Sequence, residues 1–372
     1  MQFKDVVGQD EIKALLCREV KEQRVPHALL FGGPAGCGKL AMAVAFANYL
    51  FCRQHTEEDS CGECPTCRQI SHFAYPDLHF SFPVIKKGSE TTCEDYLGDW
   101  NGLVKSTLYF DLDDWLEIMG ADNKKAIILE KESDRIIDEL SVSSYSGGYK
   151  IMIIWLPERM NREAANNMLK TFEEPTPDTV FILVSNNPEQ LLPTILSRTQ
   201  LIPFRPLSIE VITRALVERN GLEKNAATQI ARIAGGSYLK ALQLISVNND
   251  ADDYYDEFVS LMRLSYERNL VKLKDWSEAV AAWGRGKQKA FLGYCQNMLR
   301  ENFMYNFQHA ELNFMSDKET NFAVKFARFI NERNVRGFVG EFSRTQRDIE
   351  QNVNSRSVLF YLALRCVILI RK

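Results

Sequence analysis

A glycine-rich loop that ends in lysine carries the clearest chemical signal in this sequence. Residues 33–40 read Gly-Pro-Ala-Gly-Cys-Gly-Lys-Leu, which fits the phosphate-binding pattern G-x-x-x-x-G-K. The candidate phosphate contacts are Gly33, Gly36, Gly38 and Lys39. The pattern normally continues with Ser or Thr, whose hydroxyl holds Mg²⁺ beside the nucleotide phosphates, but this chain has Leu40. We therefore predict a degenerate phosphate loop that leaves ATP or ADP binding open through Lys39 and does not support hydrolysis.

The sequence also lacks the two acidic residues that an active NTPase site needs. An active NTPase needs two acids at the end of a second core strand, one for Mg²⁺ and one to polarise water. The candidate strand, residues 150–154, continues instead into Trp155, Leu156 and Pro157. Glu158 lies beyond the proline, so we expect it to point elsewhere. Because the lost hydroxyl and the lost acids both remove metal binding, we predict that this chain alone does not hydrolyse nucleotide.

Four cysteines form a separate cluster with the spacing C-x8-C-x2-C-x2-C. They are Cys52, Cys61, Cys64 and Cys67. Four thiolates can close a tetrahedral Zn²⁺ site, and since no position is left for water the metal would be structural. Redox chemistry or an iron–sulfur cluster is the alternative use of the same thiols, and His55 and His72, which flank the cysteines, are alternates to one thiolate. The remaining cysteines are predicted to be packing residues, because a chain of this size does not need disulfides.

The elements around the loop predict a parallel α/β sheet. Residues 27–32 form a short apolar run before the loop, and Lys39 through about Phe51 form an Ala-rich apolar helix. The order strand, glycine loop and helix places the loop at a helix N-terminus, which attracts anions. Two further runs, 151–155 and 180–184, are rich in β-branched residues and continuously apolar, as strands covered on both faces are.

The sequence predicts an α/β domain followed by two all-α domains. The P-loop domain covers residues 1–206, with the zinc module at 52–67 and an insertion at about 80–146 that mixes aromatic and acidic residues. Strand signals then fade, and residues 207–248 carry short helical patterns typical of a small helical domain. Residues 249–372 read as amphipathic helices and are predicted to form a further helical domain.

Composition and charge exclude several classes of protein. The chain has 372 residues, of which 45% are hydrophobic and 25% are charged, so it can bury a substantial core. A net charge of −4 argues against broad electrostatic binding to nucleic acid, so any contact with DNA would be local. Apolar runs stay well below the roughly 20 residues of a membrane span, and the N-terminal residues do not read as a signal peptide. We therefore expect a cytoplasmic protein without membrane partners.

Taken in order, these segments resemble the clamp-loader branch of the AAA+ proteins. The matching segments are residues 3–9 (FKDVVGQ), 27–33 (HALLFGG), the four cysteines, 166–175 (NNMLKTFEEP) and 192–198 (LPTILSR). The resemblance implies an AAA+ P-loop domain, with the small helical domain as its lid and the C-terminal helices as the collar through which loader subunits join.

The resemblance also assigns roles to residues outside the loop. In that family a Ser-Arg-Cys motif presents an arginine finger to ATP held by the neighbouring subunit. This chain has Ser-Arg-Thr at 197–199, which implies that Arg198 is a catalytic residue acting in trans. Asn186 takes the place of a polar sensor. The phosphate-sensing pattern Gly-Ser-x-Arg becomes Gly-Ser-Tyr-Leu at 236–239, so Leu239 marks a third loss from the ATP site.

The implied function is that of a non-hydrolysing clamp-loader subunit, a component of a replicative DNA polymerase holoenzyme. Its implied partners are loader ATPase subunits of the gamma/tau type, a delta subunit, the sliding clamp and primed DNA. One alternative is an active AAA+ ATPase, either the loader motor or a branch-migration-type motor, and Leu40 and Leu239 speak against it. Another is a zinc-stabilised nucleic-acid scaffold outside any ring, for which Arg198 would have no use.

Overall fold

Two compact units make up the chain. The computed structural model describes residues 1–88, 90–120, 125–249, 251–306, 315, 317–351 and 353–371. The units are Met1–Leu242 and Gln243–Lys372. Their boundary falls inside one helix, whereas the predicted C-terminal domain begins at residue 249. The P-loop domain 1–206 and the separate lid domain 207–248 stay predictions.

A five-stranded parallel sheet, counted over the described residues, forms the centre of the first unit. Its strands are β1 (Ala28–Gly32), β2 (Leu78–Ser81), β3 (Lys150–Trp155), β4 (Thr179–Ser185) and β5 (Gln200–Pro203). They lie in the order β2-β3-β4-β1-β5, and each neighbouring pair is parallel. All residues of β1, β3 and β4 are buried, which explains their continuously apolar sequences. The predicted parallel α/β sheet is confirmed.

The sequence pattern does not predict β2 and β5, which are the two edge strands of the sheet. In β5 only Ile202 is buried, and Gln200, Leu201 and Pro203 are exposed. A short edge strand lacks the continuous apolar run that marks a strand covered on both faces. Its presence therefore follows from pairing with β1 rather than from its own sequence.

Helices surround this sheet in the first unit. They are α1 (Asp10–Lys21), α2 (Lys39–Phe51), α3 (Pro65–Ser71), α4 (Leu97–Ser106), α5 (Leu112–Ile118), α6 (Glu130–Ser141), α7 (Arg162–Glu173), α8 (Pro193–Leu196), α9 (Ile209–Asn220), α10 (Lys224–Ala234) and α11 (Tyr238–Asn249). Short 3-10 turns lie at Phe3–Asp5, Cys93–Tyr96, Pro157–Arg159 and Pro188–Gln190. The helix predicted from Lys39 to about Phe51 is α2, and it is buried along almost its whole length.

The segment predicted as an insertion contributes both a strand and a helix to the core of the first unit. Phe80 and Ser81 lie in β2 and pair with β3. Ile136 and Leu140 of α6 belong to a buried cluster with residues of β1, β3, β4 and α7. Within the same segment, residues 89 and 121–124 lie outside the described part of the chain.

The second unit is helical throughout its described residues. Its helices are α12 (Ala251–Glu267), α13 (Leu270–Ala281), α14 (Arg285–Tyr305), α15 (Asp317–Phe326), α16 (Val335–Glu350) and α17 (Ser355–Leu369), with a 3-10 turn at Ala327–Phe329. Aromatic and aliphatic side chains such as Phe258, Phe291, Phe338 and Leu362 form its buried core. The predicted succession of an α/β part and an all-α part is confirmed. Among the described helices of both units, none has the length and apolarity that crossing a membrane requires.

Candidate functional site

The phosphate loop lies between β1 and α2, as the sequence predicts, and its backbone depends on glycine. Gly36 has φ +78° and Gly38 has φ +91°, values that side chains other than glycine rarely adopt. Gly38 directly precedes α2 in a left-handed conformation, so the loop turns sharply into the helix N-terminus. Leu40 follows in the first turn of α2 and is buried. The helix start therefore presents an apolar side chain where a metal-holding hydroxyl would stand.

The Lys39 side chain turns back onto its own loop. Its exposed fraction is only 4%, and its ammonium donates hydrogen bonds to the carbonyl oxygens of Gly33 at 2.6 Å and Pro34 at 2.5 Å. Burial lowers the pKa of Lys39 below its ordinary value. The ammonium must exchange these two carbonyls for phosphate oxygens before it can bind a nucleotide.

Residues at the start of α11 cover the apex of the loop. The backbone N–H of Tyr238 donates to the carbonyl oxygen of Gly36 at 2.9 Å. A Cβ atom at Gly36 would lie 2.0 Å from the Ser237 hydroxyl oxygen and 2.9 Å from Cβ of Leu239. Leu239, the predicted third loss from the ATP site, is thus buried against the loop itself.

Tyr109 joins the predicted insertion to the phosphate loop, and sequence reasoning did not single it out. Its hydroxyl oxygen accepts a hydrogen bond from the backbone N–H of Val7 at 3.0 Å and lies 3.1 Å from a Cβ atom built at Gly38. Its ring meets the Tyr238 ring edge-on, with 4.9 Å between ring centroids. Burial raises the pKa of Tyr109 to about 12, so the hydroxyl stays protonated. The sequence carries no local signal for this contact, because Val7 and Tyr109 are far apart along the chain.

The positions of the missing acids are apolar and buried. Trp155 ends β3, and its ring packs against the rings of Trp100 and Phe110 at centroid distances of 5.3 and 5.1 Å. Leu156 follows in a left-handed conformation with φ 55° and is also buried. Neither side chain has an oxygen that could hold Mg²⁺.

The Glu158 carboxylate supports the backbone of the turn that follows β4. One of its carboxylate oxygens accepts hydrogen bonds from the backbone N–H groups of Asn186 at 2.9 Å and Asn187 at 3.3 Å. Both asparagines directly follow β4. Glu158 therefore holds the turn that contains the predicted sensor position, Asn186.

The four predicted ligand cysteines come together in one cluster. Their Sγ atoms all lie within 4.8 Å of one another, and individual Sγ–Sγ distances are 3.5, 3.9 and 4.0 Å. Zn–S bonds of about 2.3 Å set sulfur–sulfur separations of about 3.8 Å in a regular tetrahedron. Among the described residues, no other group of three or more His, Cys, Asp or Glu side chains is placed to hold a metal. The arrangement therefore fits a single Zn²⁺ ion.

Backbone N–H groups support the thiols within the cluster. The N–H of Cys61 points to the sulfur of Cys52, and the N–H of Cys64 points to the sulfur of Cys61, each at 3.4 Å. Hydrogen bonds from the Glu63 and Cys64 backbone lower the pKa of Cys61 to about 6, whereas burial raises the pKa values of Cys52 and Cys67. At least one thiol of the cluster is therefore prepared as a thiolate, the form that binds metal.

The cysteine loop is fastened to the N-terminal residues. The Asp59 carboxylate accepts hydrogen bonds from the backbone N–H groups of Phe3 at 2.9 Å and Lys4 at 3.1 Å. Ser60 accepts from the side-chain amides of Gln2 at 2.5 Å and Asn48 at 3.0 Å. A metal that fixes this loop would also fix the N-terminal segment. That segment includes Val7, whose N–H donates to Tyr109.

Arg198 lies just after α8, and its side chain is 29% exposed. The guanidinium donates from Nε and Nη2 to one oxygen of Glu173, at 3.3 and 3.1 Å, and from Nη1 to the carbonyl oxygen of Thr194 at 3.1 Å. Its described hydrogen bonds involve no residue of the phosphate loop. The structure thus brings the loop residues together and the cysteines together, and it leaves Arg198 as a separate, solvent-accessible cation.

Comparison with known proteins gives consistent matches. A family model described as DNA polymerase III, delta subunit, matches residues 8–208. The DNA polymerase III subunit delta' of Bacillus subtilis is 31% identical over 212 residues, which are 57% of this chain and 52% of that protein. The subunit delta' of Pseudomonas aeruginosa is 30% identical over 222 residues, or 59% of this chain and 55% of that protein. This chain spans about half the length of the curated relatives it matches.

A solved structure covers more of the chain at lower similarity. A DNA polymerase III gamma subunit-related protein from Thermotoga maritima aligns with 96% of this chain and 99% of its own, at 15% sequence identity and a TM-score of 0.40.

Proposed function

Because this chain belongs to the DNA polymerase III delta subunit family and is similar to its delta' members, we propose that it is a non-hydrolysing subunit of the clamp loader. In this role it helps to place a sliding clamp on primed DNA during replication. The proposed partners are gamma/tau-type ATPase subunits, a delta subunit, the clamp and primed DNA within the complex. The proposed location is the cytoplasm.

One observation carries the non-hydrolysing part of the proposal. Every position at which an ATPase of this fold would hold Mg²⁺ has an apolar, buried side chain, namely Leu40, Trp155 and Leu156. Mg²⁺ requires oxygen ligands, and phosphoryl transfer depends on that ion to neutralise developing charge. The backbone N–H groups of Gly36 and Gly38 and the Lys39 ammonium would still hold phosphates if a nucleotide bound. This chain would then have a structural role in the loader and would not itself hydrolyse ATP.

The second part of the proposal gives Arg198 a role in the neighbouring ATPase subunit. The guanidinium is solvent-accessible and always charged, so a γ-phosphate presented by another subunit can reach it. Its positive charge would stabilise the negative charge that develops during hydrolysis there. The phosphate loop of this chain and the arginine would therefore belong to two different ATP sites, one inactive and one active.

The third part concerns the cysteine cluster, for which we propose structural zinc. Four thiolates leave no coordination site for water, so the ion would have no catalytic function. It would fix the loop of residues 52–67 and, through Asp59 and Ser60, the N-terminal turn.

Two measurements test the proposed function. The purified chain should show no Mg²⁺-dependent ATP hydrolysis, and turnover that disappears in Lys39→Ala would instead support an active ATPase. In a reconstituted loader, Arg198→Ala should lower the clamp- and DNA-stimulated kcat for ATP severalfold. The matched control is Arg232→Ala, which removes another exposed arginine of the same unit and should leave kcat unchanged. An unchanged kcat in Arg198→Ala would refute the trans-acting role.

A further inference from the structure

We propose that Glu173 is a positioning residue for Arg198, holding the guanidinium in the orientation in which it meets the neighbouring subunit's phosphate. This inference rests on the proposed trans-acting role of Arg198. Glu173 is an exposed acid at the end of a helix, and a residue in such a place is usually an ordinary solvated charge. The inference gives it a function.

The contact between the two side chains is specific in its geometry. Two nitrogens of Arg198, Nε and Nη2, converge on the same carboxylate oxygen of Glu173, at 3.3 and 3.1 Å. These nitrogens form one edge of the planar guanidinium, so the carboxylate fixes the direction of that plane as well as the position of the charge. Glu173 ends α7, and Arg198 follows α8, so the pair connects two different elements.

The other hydrogen bonds of Arg198 stay within its own segment of the chain. Nη1 donates to the carbonyl oxygen of Thr194 and reaches the hydroxyl of Ser197 at 3.4 Å. Both acceptors belong to the same short stretch of chain as the arginine, so they move with it. Glu173 is the acceptor that comes from a different element, and α7 and α8 are both anchored in the same buried cluster, through Phe172 and Ile195 respectively, so the pair has a fixed base on each side.

The ion pair is partly exposed and leaves a part of the guanidinium available to a second anion. The Glu173 side chain is 59% exposed and that of Arg198 is 29% exposed, so water screens their attraction. Nη2 also has a second hydrogen, for which the described residues provide no acceptor. A phosphate that carries more charge than a carboxylate can therefore bind the guanidinium while Glu173 keeps its plane oriented.

The test uses the loader reconstituted with full-length chain carrying Glu173→Gln, which keeps the size and shape of the side chain and removes its charge. The matched control is Glu174→Gln, the neighbouring exposed acid. We expect Glu173→Gln to lower kcat for clamp- and DNA-stimulated ATP hydrolysis by about twofold to fivefold, the range set by an exposed ion pair, with KM for ATP unchanged. Glu174→Gln should behave as the unmodified chain, and Glu173→Asp should recover part of the loss.

A double-mutant cycle separates positioning from an unrelated structural effect. In the Arg198→Ala background, Glu173→Gln should cause no further loss, because no guanidinium remains to be oriented. The inference is overturned if Glu173→Gln leaves kcat unchanged or raises it while Arg198→Ala lowers it, or if Glu173→Gln lowers kcat equally in both backgrounds. If Arg198→Ala itself has no effect, the proposed function of the arginine fails, and this inference fails with it.

Discussion

Removing one thiol from the cysteine cluster should release the metal and loosen the N-terminal part of the first unit. In Cys67→Ser, a neutral hydroxyl replaces one of four sulfur atoms that all lie within 4.8 Å of one another. Zinc in such sites is held by thiolates, for which a serine hydroxyl is a poor substitute. We expect zinc content to fall from about one ion per chain to a small fraction of that.

The expected loss of stability follows from the hydrogen bonds between the cysteine loop and its neighbours. Asp59 accepts two backbone hydrogen bonds from the N-terminal turn, and Ser60 accepts one each from Gln2 and Asn48. At about 1 kcal/mol for each bond, up to about 4 kcal/mol of unfolding free energy depends on the folded loop. For a unit of this size, that corresponds to a fall in the unfolding midpoint of roughly 8 to 16 °C.

The assay combines zinc content by mass spectrometry with thermal unfolding followed by circular dichroism. Cys17→Ser is the control, because the Cys17 thiol contacts the carbonyl oxygen of Glu58 in the same loop but lies outside the cluster. It should keep its zinc and lose little stability. A Cys67→Ser protein that retains one zinc ion, or that unfolds at the midpoint of the unmodified chain, would refute the structural-zinc argument.

Three further outcomes are expected. Tyr109→Phe removes the acceptor of the buried Val7 N–H and should lower the unfolding free energy of the first unit by about 1 to 2 kcal/mol in urea titrations, whereas Tyr145→Phe, whose side chain belongs to a residue 85% exposed, should change nothing. Leu40→Ser restores the metal-holding hydroxyl but should produce no Mg²⁺-dependent ATPase, because β3 still ends in apolar residues; measurable turnover would contradict this reading. Burial raises the pKa of Asp114 to about 6, because the folded state favours the neutral carboxyl. The resulting contribution to the unfolding free energy is complete below pH 4 and is lost as pH rises through 6. Asp114→Asn should therefore stabilise the first unit by about 2 kcal/mol at pH 7.5 and hardly at pH 4, and an equal effect at both values would show that ionisation is not the cause.

Features encoded in short stretches of sequence were predictable. The phosphate loop combines required glycines, an apolar strand before it and an apolar helix after it, so β1, the loop and α2 follow from about 25 consecutive residues. The cysteine cluster has the same property, because its metal-ligand spacing is compact. Buried strands β3 and β4 were predictable because burial on both faces demands apolar residues throughout.

Features that depend on distant partners were not predictable. Tyr109 reads as one aromatic residue among many, and its role appears only when folding brings it to the backbone of Val7. The pair formed by Glu173 and Arg198 is similar, since in the sequence each residue alone reads as an ordinary surface charge. The edge strand β2 could not be predicted, because its sequence, Leu-His-Phe-Ser, is short and only partly apolar. Tertiary contacts, which a sequence pattern does not record, decide all three.

The strand order has a consequence for how this protein is made on the ribosome. The strand β1 pairs with β4 and β5, yet it ends at Gly32 and β4 begins only at Thr179. At synthesis rates of 5–20 residues per second, the phosphate-loop strand therefore waits roughly 7 to 30 s before either neighbour exists. During that interval β1 lacks both of its sheet neighbours, so it and the apolar α2 are not covered by the complete sheet. The early-translated cysteine loop, which can fold locally around an ion, would give this exposed segment its first fixed structure.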